Sequence, residues 1–154
     1  MRQLFGALHS VNAALDPTFA LAEGWEDVLS AALANLRQPG EGLILLAWLG
    51  AEPVGLLIMS RHRDSLLFRH RNWAELLALY VVPKARHHGV ADALLAAGVN
   101  WARARGYDRV QLYVTTGNHR AKRFYSGCGF RCAQEIWRLD VSPAGGIGNR
   151  VEDM

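Results

Sequence analysis

Apolar residues recur at helical spacing near the start of the chain, at Leu4, Leu8, Val11 and Leu15. Residues three or four positions apart lie on one face of a helix, so the pattern predicts an amphipathic helix over residues 1–15. Pro17 prevents this helix from continuing. A second apolar stripe predicts another helix over residues 23–36, which ends before the helix-breaking run QPGEG.

The patterning becomes strand-like in the middle of the chain. Residues 43–50 (LILLAWLG) and 53–64 (PVGLLIMSRHRD) are apolar runs that meet at GAEP, a hairpin-turn sequence. The short connection predicts that the two strands pair antiparallel. Residues 61–72 (RHRDSLLFRHRN) carry too many charges for a core strand, and we interpret them as a strand end followed by an exposed loop.

Residues 73–82 (WAELLALYVV) are apolar almost throughout and predict a central strand that is buried on both faces. Glu75 is the only charge in this run, and Pro83 ends it because proline lacks the amide hydrogen that a ladder needs. From Val90 the apolar positions return to helical spacing, and Gly106 is the residue type favoured just beyond the end of a helix.

The run RVQLYVTT at 109–116 alternates and predicts the next strand. The order strand, helix, strand makes residues 73–116 a βαβ unit with a parallel strand pair. A short helix is predicted from His119, with Asn118 as its cap. Alternation over residues 130–141 predicts a last strand that closes the sheet.

Length and composition fit one compact domain, residues 1–141, with a flexible tail over residues 142–154. Of the 154 residues, 51% are hydrophobic, and the formal net charge is +3. That excess of positive charge is too small to indicate a nucleic acid or an anionic membrane as a partner. The apolar runs are far shorter than the ~20 residues needed to cross a bilayer, so we expect a cytoplasmic protein.

The chain has two cysteines, Cys128 and Cys132. A bridge between them would close one short loop and add little stability, so we interpret both as reduced thiols of the core. A zinc site needs about four ligands at compatible spacing, and no further pair of Cys or His completes one. We therefore expect no metal.

The turn between the central strand and its helix is basic. Arg86, His87 and His88 precede Gly89 in the run RHHGVA. The first amides of a helix lack intrahelical partners and carry a partial positive charge, and glycine allows a ligand close to the backbone. The run therefore has the donors of a phosphate site. An ordinary loop with exposed basic residues explains these local features equally well.

Two longer motifs decide between these interpretations. The segments LYVVPKARHHGVADALL and NHRAKRFYSGCGF, with a helix and a strand between them, resemble the acetyl-CoA signature of the GNAT superfamily of N-acetyltransferases. The first family pattern, [RQ]xxGx[GA], is matched at Arg86, Gly89 and Ala91. The second, NxxAxxFYxxxGF, is matched at Asn118, Ala121, Phe124, Tyr125, Gly129 and Phe130.

The resemblance covers roughly residues 42–140 and implies an α/β (α+β) fold. The fold expected is a mixed, mostly antiparallel sheet with a central parallel βαβ unit and helices on both faces. GNAT chains usually begin with a strand, whereas the helical pattern here starts at Met1, so that strand is absent or lies upstream. Its loss would leave a sheet edge that a homodimer could cover.

The resemblance also implies acetyl-CoA as the cosubstrate. Its diphosphate would be bound by the turn that comprises Arg86, His87, His88, Gly89, Val90 and Ala91. Its pantetheine arm would pair with the backbone around Leu79, Tyr80 and Val81, where the strands splay apart. Asn118 would face the coenzyme from the far side, and Phe124 would help to wall the site.

Acetyl transfer from a thioester requires a neutral amine, a stabilised oxyanion and a proton for the departing thiolate. Tyr125 holds the family's general-acid position, and a phenol pKa of about 10 lies close to that of a thiol. The alternative is a packing tyrosine beside Phe124. Glu75 is the candidate base, directly or through water, unless it is a strand-end carboxylate in solvent or paired with Arg71. Three tryptophans are interpreted as core or rim packing: Trp73, Trp101 and Trp137.

We therefore expect an enzyme that transfers acetyl from acetyl-CoA to a primary amine of a small molecule, directly in a ternary complex. One alternative is a non-catalytic acyl-CoA-binding regulatory module, against which Tyr125 and the intact turn argue. Another is transfer to protein or aminoacyl-tRNA amines, which would need a continuous basic face that a net charge of +3 does not promise.

Overall fold

The computed structural model describes residues 1–139 and 141. The predicted flexible tail, residues 142–154, lies outside the described residues. The chain divides into two compact units, Met1–His119 and a second that begins at Arg120.

Two helices precede the sheet, α1 (Arg2–Leu15) and α2 (Trp25–Leu36), with a 3-10 turn at Pro17–Phe19 between them. Both predicted helices are confirmed. The second begins at Trp25 rather than at residue 23 because Gly24, its N-cap, adopts a left-handed φ of 74°.

Four strands form one sheet: β1 (Gly42–Leu49), β2 (Glu52–Arg63), β3 (Asn72–Val81) and β4 (Val110–Leu112). Their spatial order is β1-β2-β3-β4, and β1 and β3 both pair antiparallel with β2. The pair β3–β4 is parallel, and helix α3 (Val90–Ala104) connects its strands. The predicted hairpin and the predicted βαβ unit are therefore both confirmed. Helix α4 (His119–Gly127) follows β4.

Helices cover both faces of the sheet. On one face, Leu56 and Ile58 of β2 are buried in a cluster with Leu4 of α1 and with Leu29 and Leu33 of α2. The two α2 leucines lie one helical turn apart, so both point at the strands. This cluster is the main apolar core between the first two helices and the sheet.

Helix α3 packs closely against the opposite face. Successive side chains of a strand alternate, so Leu57 and Met59 of β2 point away from the first core. A Cβ atom added to Gly98 of α3 would overlap Met59 Sδ and lie 3.2 Å from a methyl carbon of Leu57. Glycine at position 98 therefore allows the helix to approach the sheet this closely, as the expected fold with helices on both faces requires.

Strand β3 has one residue more than the stretch of β2 that it faces. Ile58 pairs with Ala78 and the next residue, Met59, pairs with Leu76, so Leu77 is the extra residue of a β-bulge. Although Leu77 is apolar and lies in an interior strand, its side chain is 48% exposed. The bulge places this leucine outside the regular alternation of the strand.

The bulge also decides which face each β3 side chain occupies. After it, even positions such as Ala78 face α1 and α2. Before it, Glu75 lies opposite Ser60, and Trp73 lies opposite His62. Because even positions of β2 face α1 and α2, both Glu75 and Trp73 lie on that same face.

Two of the predicted strands are wrong in extent or existence. The strand predicted over residues 109–116 covers only Val110–Leu112. Residues 131–139, part of the strand predicted over 130–141, form no strand and are exposed. Their alternation places Gln134 and Arg138 on the same side as Ile136, so neither side is apolar enough to be buried.

The prediction of core thiols is also wrong. Cys128 and Cys132 are both exposed, and within the described residues they are not joined by a disulfide. Trp73 and Trp101 are buried, as predicted, but Trp137 is 85% exposed. The tryptophan lies in the segment that was expected to be a strand, and without that strand its ring has no layer to pack against.

Candidate functional site

The sheet opens between its third and fourth strands. The parallel pairing runs only from Ala74 opposite Val110 to Leu76 opposite Leu112. Beyond Leu76, the rest of β3 has no strand neighbour on this side among the described residues. The half of β3 that leads to the basic turn therefore has one unpaired edge.

The hydrogen-bond pattern identifies which backbone groups face this opening. The amide of Val82 donates to the carbonyl of Val54 at 2.9 Å, so the adjacent pair, Gly55 and Val81, is of the non-hydrogen-bonded kind. The N–H and C=O groups of Val81 therefore point away from β2, into the opening. Two residues earlier, the backbone groups of Leu79 point the same way.

Tyr80 lies between these two residues and is used differently. Its backbone groups point toward β2, by the same alternation, and its ring is buried in the core cluster on the α1 and α2 face. Of the three β3 residues proposed to bind the coenzyme arm, Leu79 and Val81 thus have backbone groups available.

The side chain of Arg86 ties the basic turn to the end of β3. Its Nε donates to the carbonyl oxygen of Val81 at 3.0 Å, and its guanidinium carbon lies 5.9 Å from the centre of the Tyr80 ring. This bond occupies the Val81 carbonyl. The unpaired edge therefore offers the N–H and C=O groups of Leu79 and the N–H group of Val81.

The turn itself exposes the start of α3. It contains a 3-10 turn at Pro83–Ala85, followed by His87 with a φ of 65° and Gly89 with a φ of 74°. Gly89 is the N-cap and has no side chain to accept the first helix amides, which are left for a ligand. A left-handed φ in a non-glycine residue such as His87 is uncommon and marks a tightly specified backbone.

Side chains around the turn leave this backbone accessible. His87, His88 and Gly89 are exposed. Val90 points at β2 instead, since a Cβ added to Gly55 would lie 3.1 Å from a Val90 methyl carbon. Ala91 adds only a methyl group. Amides without acceptors, the positive end of a helix and two histidines make this turn suited to an anion.

Glu75 is paired, but not with Arg71. Its Oε2 lies 2.8 Å from Nδ1 of His62, the residue that faces Trp73 across the β2–β3 ladder. The alternative partner, Arg71, lies just before β3, and its backbone carbonyl accepts a hydrogen bond from the amide of Asp64 at the neck of the loop. Sequence reasoning missed His62, because the charged pattern of residues 61–72 indicates only a strand end and an exposed loop.

The second unit contains the three aromatic residues of the second motif. The rings of Phe124 and Tyr125 in α4 pack edge to face with their centres 5.3 Å apart. The rings of Tyr125 and Phe130 pack in the same way with their centres 5.5 Å apart. Burial raises the pKa of Tyr125 to about 12, and the nearby thiol of Cys128 adds to the effect. The phenol therefore stays protonated throughout the neutral range. In the first unit, Asn118 donates its backbone amide to the carbonyl of Thr115 at 2.8 Å.

Within the part of the chain that the structure describes, no group of three or more His, Cys, Asp or Glu residues is arranged to hold a metal ion. The described helices include none with the length and hydropathy of a membrane span.

Fold and site together define a mixed α/β protein in which an open sheet edge leads to the exposed start of a helix. The chain belongs to the Acetyltransferase (GNAT) family, whose profile matches residues 8–130. The fold predicted from the two motifs is therefore confirmed.

Similar proteins agree with this assignment. The chain is 34% identical over 102 residues to a mycothiol acetyltransferase of Stackebrandtia nassauensis, a match that covers 59% of this chain and 32% of the relative. The chain thus matches about a third of the length of that protein.

Solved structures share the fold at low sequence identity. A variant of the BH1408 protein from Bacillus halodurans has a TM-score of 0.76 with 19% identity over 91% of this chain and 90% of that one. The complex of AAC(6')-Iy with the bisubstrate analog CoA-S-monomethyl-acetylneamine has a TM-score of 0.67 with 18% identity, covering 87% of this chain and 88% of that one.

Proposed function

We propose that the chain is an acetyl-CoA-dependent N-acetyltransferase that acetylates a primary amine of a small molecule by direct transfer in a ternary complex. The observation that carries the proposal is the unpaired edge of β3 at Leu79 and Val81, which leads into the exposed amides at the start of α3. An extended arm that contains amides can add to such an edge as a further strand, and a diphosphate fits the helix start.

In this proposal, the coenzyme arm pairs with Leu79 and Val81, and its diphosphate binds the amides from Gly89 to Ala91. Arg86 holds the turn against β3 through the Val81 carbonyl. His87 and His88 add side-chain donors, and because neighbouring side chains point in different directions, one of them at most touches phosphate.

The acceptor is proposed to be a small-molecule amine because the chain resembles enzymes with such acceptors. The relative from Stackebrandtia nassauensis is named for mycothiol, and the structural neighbour AAC(6')-Iy was captured with an analog that joins CoA to an acetylated neamine. A net charge of +3 does not favour a nucleic acid over a small acceptor.

The transfer proceeds through a tetrahedral intermediate. The lone pair of the neutral amine attacks the thioester carbonyl carbon, a C–N bond forms, and the carbonyl oxygen becomes an oxyanion. Collapse of this intermediate breaks the C–S bond and releases the thiolate, while the amine proton passes to a base. The thiolate takes up a proton from solvent, so the products are the acetylated amine and the coenzyme thiol.

Tyr125 is proposed to act on the departing sulfur. Since burial raises the pKa of Tyr125 to about 12, its phenol holds its proton more tightly than a thiol with a pKa of about 8.5. A hydrogen bond to the sulfur therefore suits this phenol better than complete proton transfer. The close match of phenol and thiol pKa expected from the sequence does not hold for the folded chain.

The test is thiol release from acetyl-CoA, measured with a panel of small primary amines that includes neamine. We expect amine-dependent release that falls about 100-fold or more in Tyr125→Phe, within the usual range for loss of a hydrogen-bond donor to charge that develops in the transition state. Tyr113→Phe, which removes an exposed phenol, is the control and should retain activity. Tight CoA binding without thiol release for any amine would support a regulatory module instead.

A homodimer is part of the proposal. Strand β1 (Gly42–Leu49) is bordered by β2 on one side, and among the described residues its other edge has no neighbour. The exposed Trp48 and Leu49 lie at one end of this apolar edge. Such an edge favours pairing with a second copy, which analytical ultracentrifugation would detect.

A further inference from the structure

A pair of titratable side chains lies on the α1 and α2 face of the sheet, beside the point where β3 and β4 separate. Nδ1 of His62 is 2.8 Å from Oε2 of Glu75. The Glu75 side chain is 13% exposed, whereas that of His62 is 34% exposed. The imidazole therefore shields the carboxylate and is the member of the pair that a solute would meet first.

The imidazole ring is held at two points. Its ring centre lies 4.3 Å from that of Trp73, and the two planes are 21° apart, which is a stacked arrangement. The Trp73 ring is in turn contacted by Arg109, whose guanidinium carbon is 4.0 Å from the ring centre. Stacking through its face and a hydrogen bond through Nδ1 leave His62 little freedom to turn.

The partner of Nδ1 determines what the other nitrogen can do. An ionised carboxylate can only accept, so Nδ1 of His62 must carry the hydrogen in the contact with Glu75. In the neutral imidazole, the lone pair is then on Nε2. Among residues 1–139, no hydrogen bond engages this nitrogen. A carboxylate that orients an imidazole in this way leaves it ready to accept a proton.

The position of the pair fits the acceptor side of the site. Glu75 lies opposite Gln111 in the short β3–β4 pairing, which ends one residue later at Leu76. The pair thus lies next to the beginning of the open edge, whereas the anion-binding turn lies at the far end of β3. Gln111 directs its amide nitrogen to the Tyr113 hydroxyl at 3.4 Å and leaves Glu75 to His62.

We propose that His62, rather than Glu75, receives the proton of the acceptor amine, and that Glu75 is a positioning residue that fixes the tautomer of His62. This inference rests on the acetyl transfer proposed above. As the C–N bond forms, an N–H bond of the amine breaks, its electron pair stays on the amine nitrogen, and the proton moves to Nε2 of His62. The imidazolium is stabilised by the Glu75 carboxylate and releases its proton to solvent, so no co-reactant is needed.

The first test needs neither acceptor nor coenzyme. Long-range proton–nitrogen NMR of the full chain at pH 7.5 reports which imidazole nitrogens carry hydrogen, and the His62 signals are assigned with His62→Asn. In the wild-type chain we expect a hydrogen on Nδ1 and none on Nε2. Glu75→Leu lacks the carboxylate that accepts from Nδ1, so it should show a mixture of the two tautomers. The opposite tautomer in the wild-type chain, or an imidazolium at this pH, would overturn the proposal.

The second test is chemical rescue. For an amine that supports thiol release, His62→Ala should lower kcat/KM about 100-fold or more, with the KM for acetyl-CoA unchanged, and added imidazole should restore part of the activity. The matched control is His70→Ala, since His70 is exposed and lies in the second RHR triplet, in the loop between β2 and β3. The activity of the His70→Ala variant should equal that of the wild type.

The outcomes separate the two proposals. Full activity in both His62→Ala and His62→Asn would show that His62 does not accept the proton. The same conclusion would follow if imidazole did not restore the lost activity and Glu75→Gln lowered the activity more than the His62 variants. Thermal unfolding of both His62 variants identifies a loss that is due to misfolding. Absence of thiol release from the wild-type chain would count against the proposed acetyl transfer, and the NMR result would still decide the state of His62.

Discussion

Arg86 donates Nε–H to the carbonyl oxygen of Val81, five residues earlier in the chain, at 3.0 Å. Val81 is the last residue of β3, and its backbone groups face the opening between β3 and β4. The bond therefore sets the position of the basic turn relative to the unpaired strand edge. A ligand that contacts both the turn and the edge depends on this spacing.

Replacement of Arg86 by methionine, which has a similar length but no donor, should weaken CoA binding about tenfold or more by isothermal titration calorimetry. The matched control is Lys84→Met, which removes one positive charge from the same turn. Lys84 forms an exposed ion pair with Glu52 at 2.6 Å, so we expect a much smaller loss. Equal losses would mean that charge alone matters and that the Arg86–Val81 bond does not.

Gly89→Glu should abolish CoA binding measurable by calorimetry, because it brings a negative charge to the amides at the start of α3 and strains a φ of 74°. Gly106, just beyond the other end of α3, has the same φ of 74° and equally open surroundings. Gly106→Glu thus carries the same backbone strain away from the turn and should still bind CoA. Unchanged affinity in Gly89→Glu would show that the diphosphate does not bind at this turn.

Gly98→Ala should lower the free energy of unfolding by about 1–3 kcal/mol in urea denaturation, since the new methyl group would overlap Met59 Sδ. The double variant with Met59→Ala should lose less than the sum of the two single changes. Gly6→Ala in α1 is the control: its methyl group would meet Trp25 at 3.5 Å, an ordinary contact, so the variant should be as stable as the wild type or slightly more so.

Tyr125 should make the folded chain sensitive to alkali. Burial raises the pKa of Tyr125 from 10.0 to about 12, so between these values the folded state keeps a proton that the unfolded state releases. The contribution is fully present below pH 10 and is lost as the pH rises toward 12. The free energy of unfolding, measured with urea at pH 9, 10 and 11, should decline with pH. Over the whole range its decline should be about 1–2 kcal/mol smaller in Tyr125→Phe than in the wild type. A decline of equal size in the variant would show that Tyr125 does not cause the loss of stability in alkali.

Much of the architecture could be predicted from the sequence because local signals agreed with the tertiary environment. Pro17 ended the first helix, and the short GAEP connection placed β1 and β2 side by side. The helix expected to end near Gly106 ends at Ala104, and Gly106 adopts the left-handed conformation that such a position favours. Each of these signals acts over a few residues and needs no knowledge of distant partners.

The irregularities of the sheet were not predicted, because they depend on which strand partners are present and not on the local pattern. Alternation over residues 130–141 indicated a strand, but that pattern cannot reveal whether a neighbouring strand is available or whether either side is fit for burial. The bulge at Leu77 has no turn residue to mark it. His62 could have been found by counting back from the 64–71 loop, which sets it opposite Trp73 and diagonal to Glu75.

The candidate site was predictable to the extent that it is contiguous in sequence. The turn from Arg86 to Ala91 is one segment, and a motif is enough to mark it. Which backbone groups of β3 are available is a property of the ladder with β2, so Tyr80 could not be separated from Leu79 and Val81 before the register was known.

The extra residue in β3 has a consequence for protein engineering. A chimaera that transplants this strand onto a bulge-free scaffold, aligned from its Tyr80 end, would turn the preceding residues over. The carboxylate of Glu75 would then enter the apolar layer beneath α3, while Ala74 and Leu76 would emerge on the opposite side. Any recombination that includes this strand must therefore keep Leu77 together with Ile58 and Met59 of β2, between whose partners it is inserted.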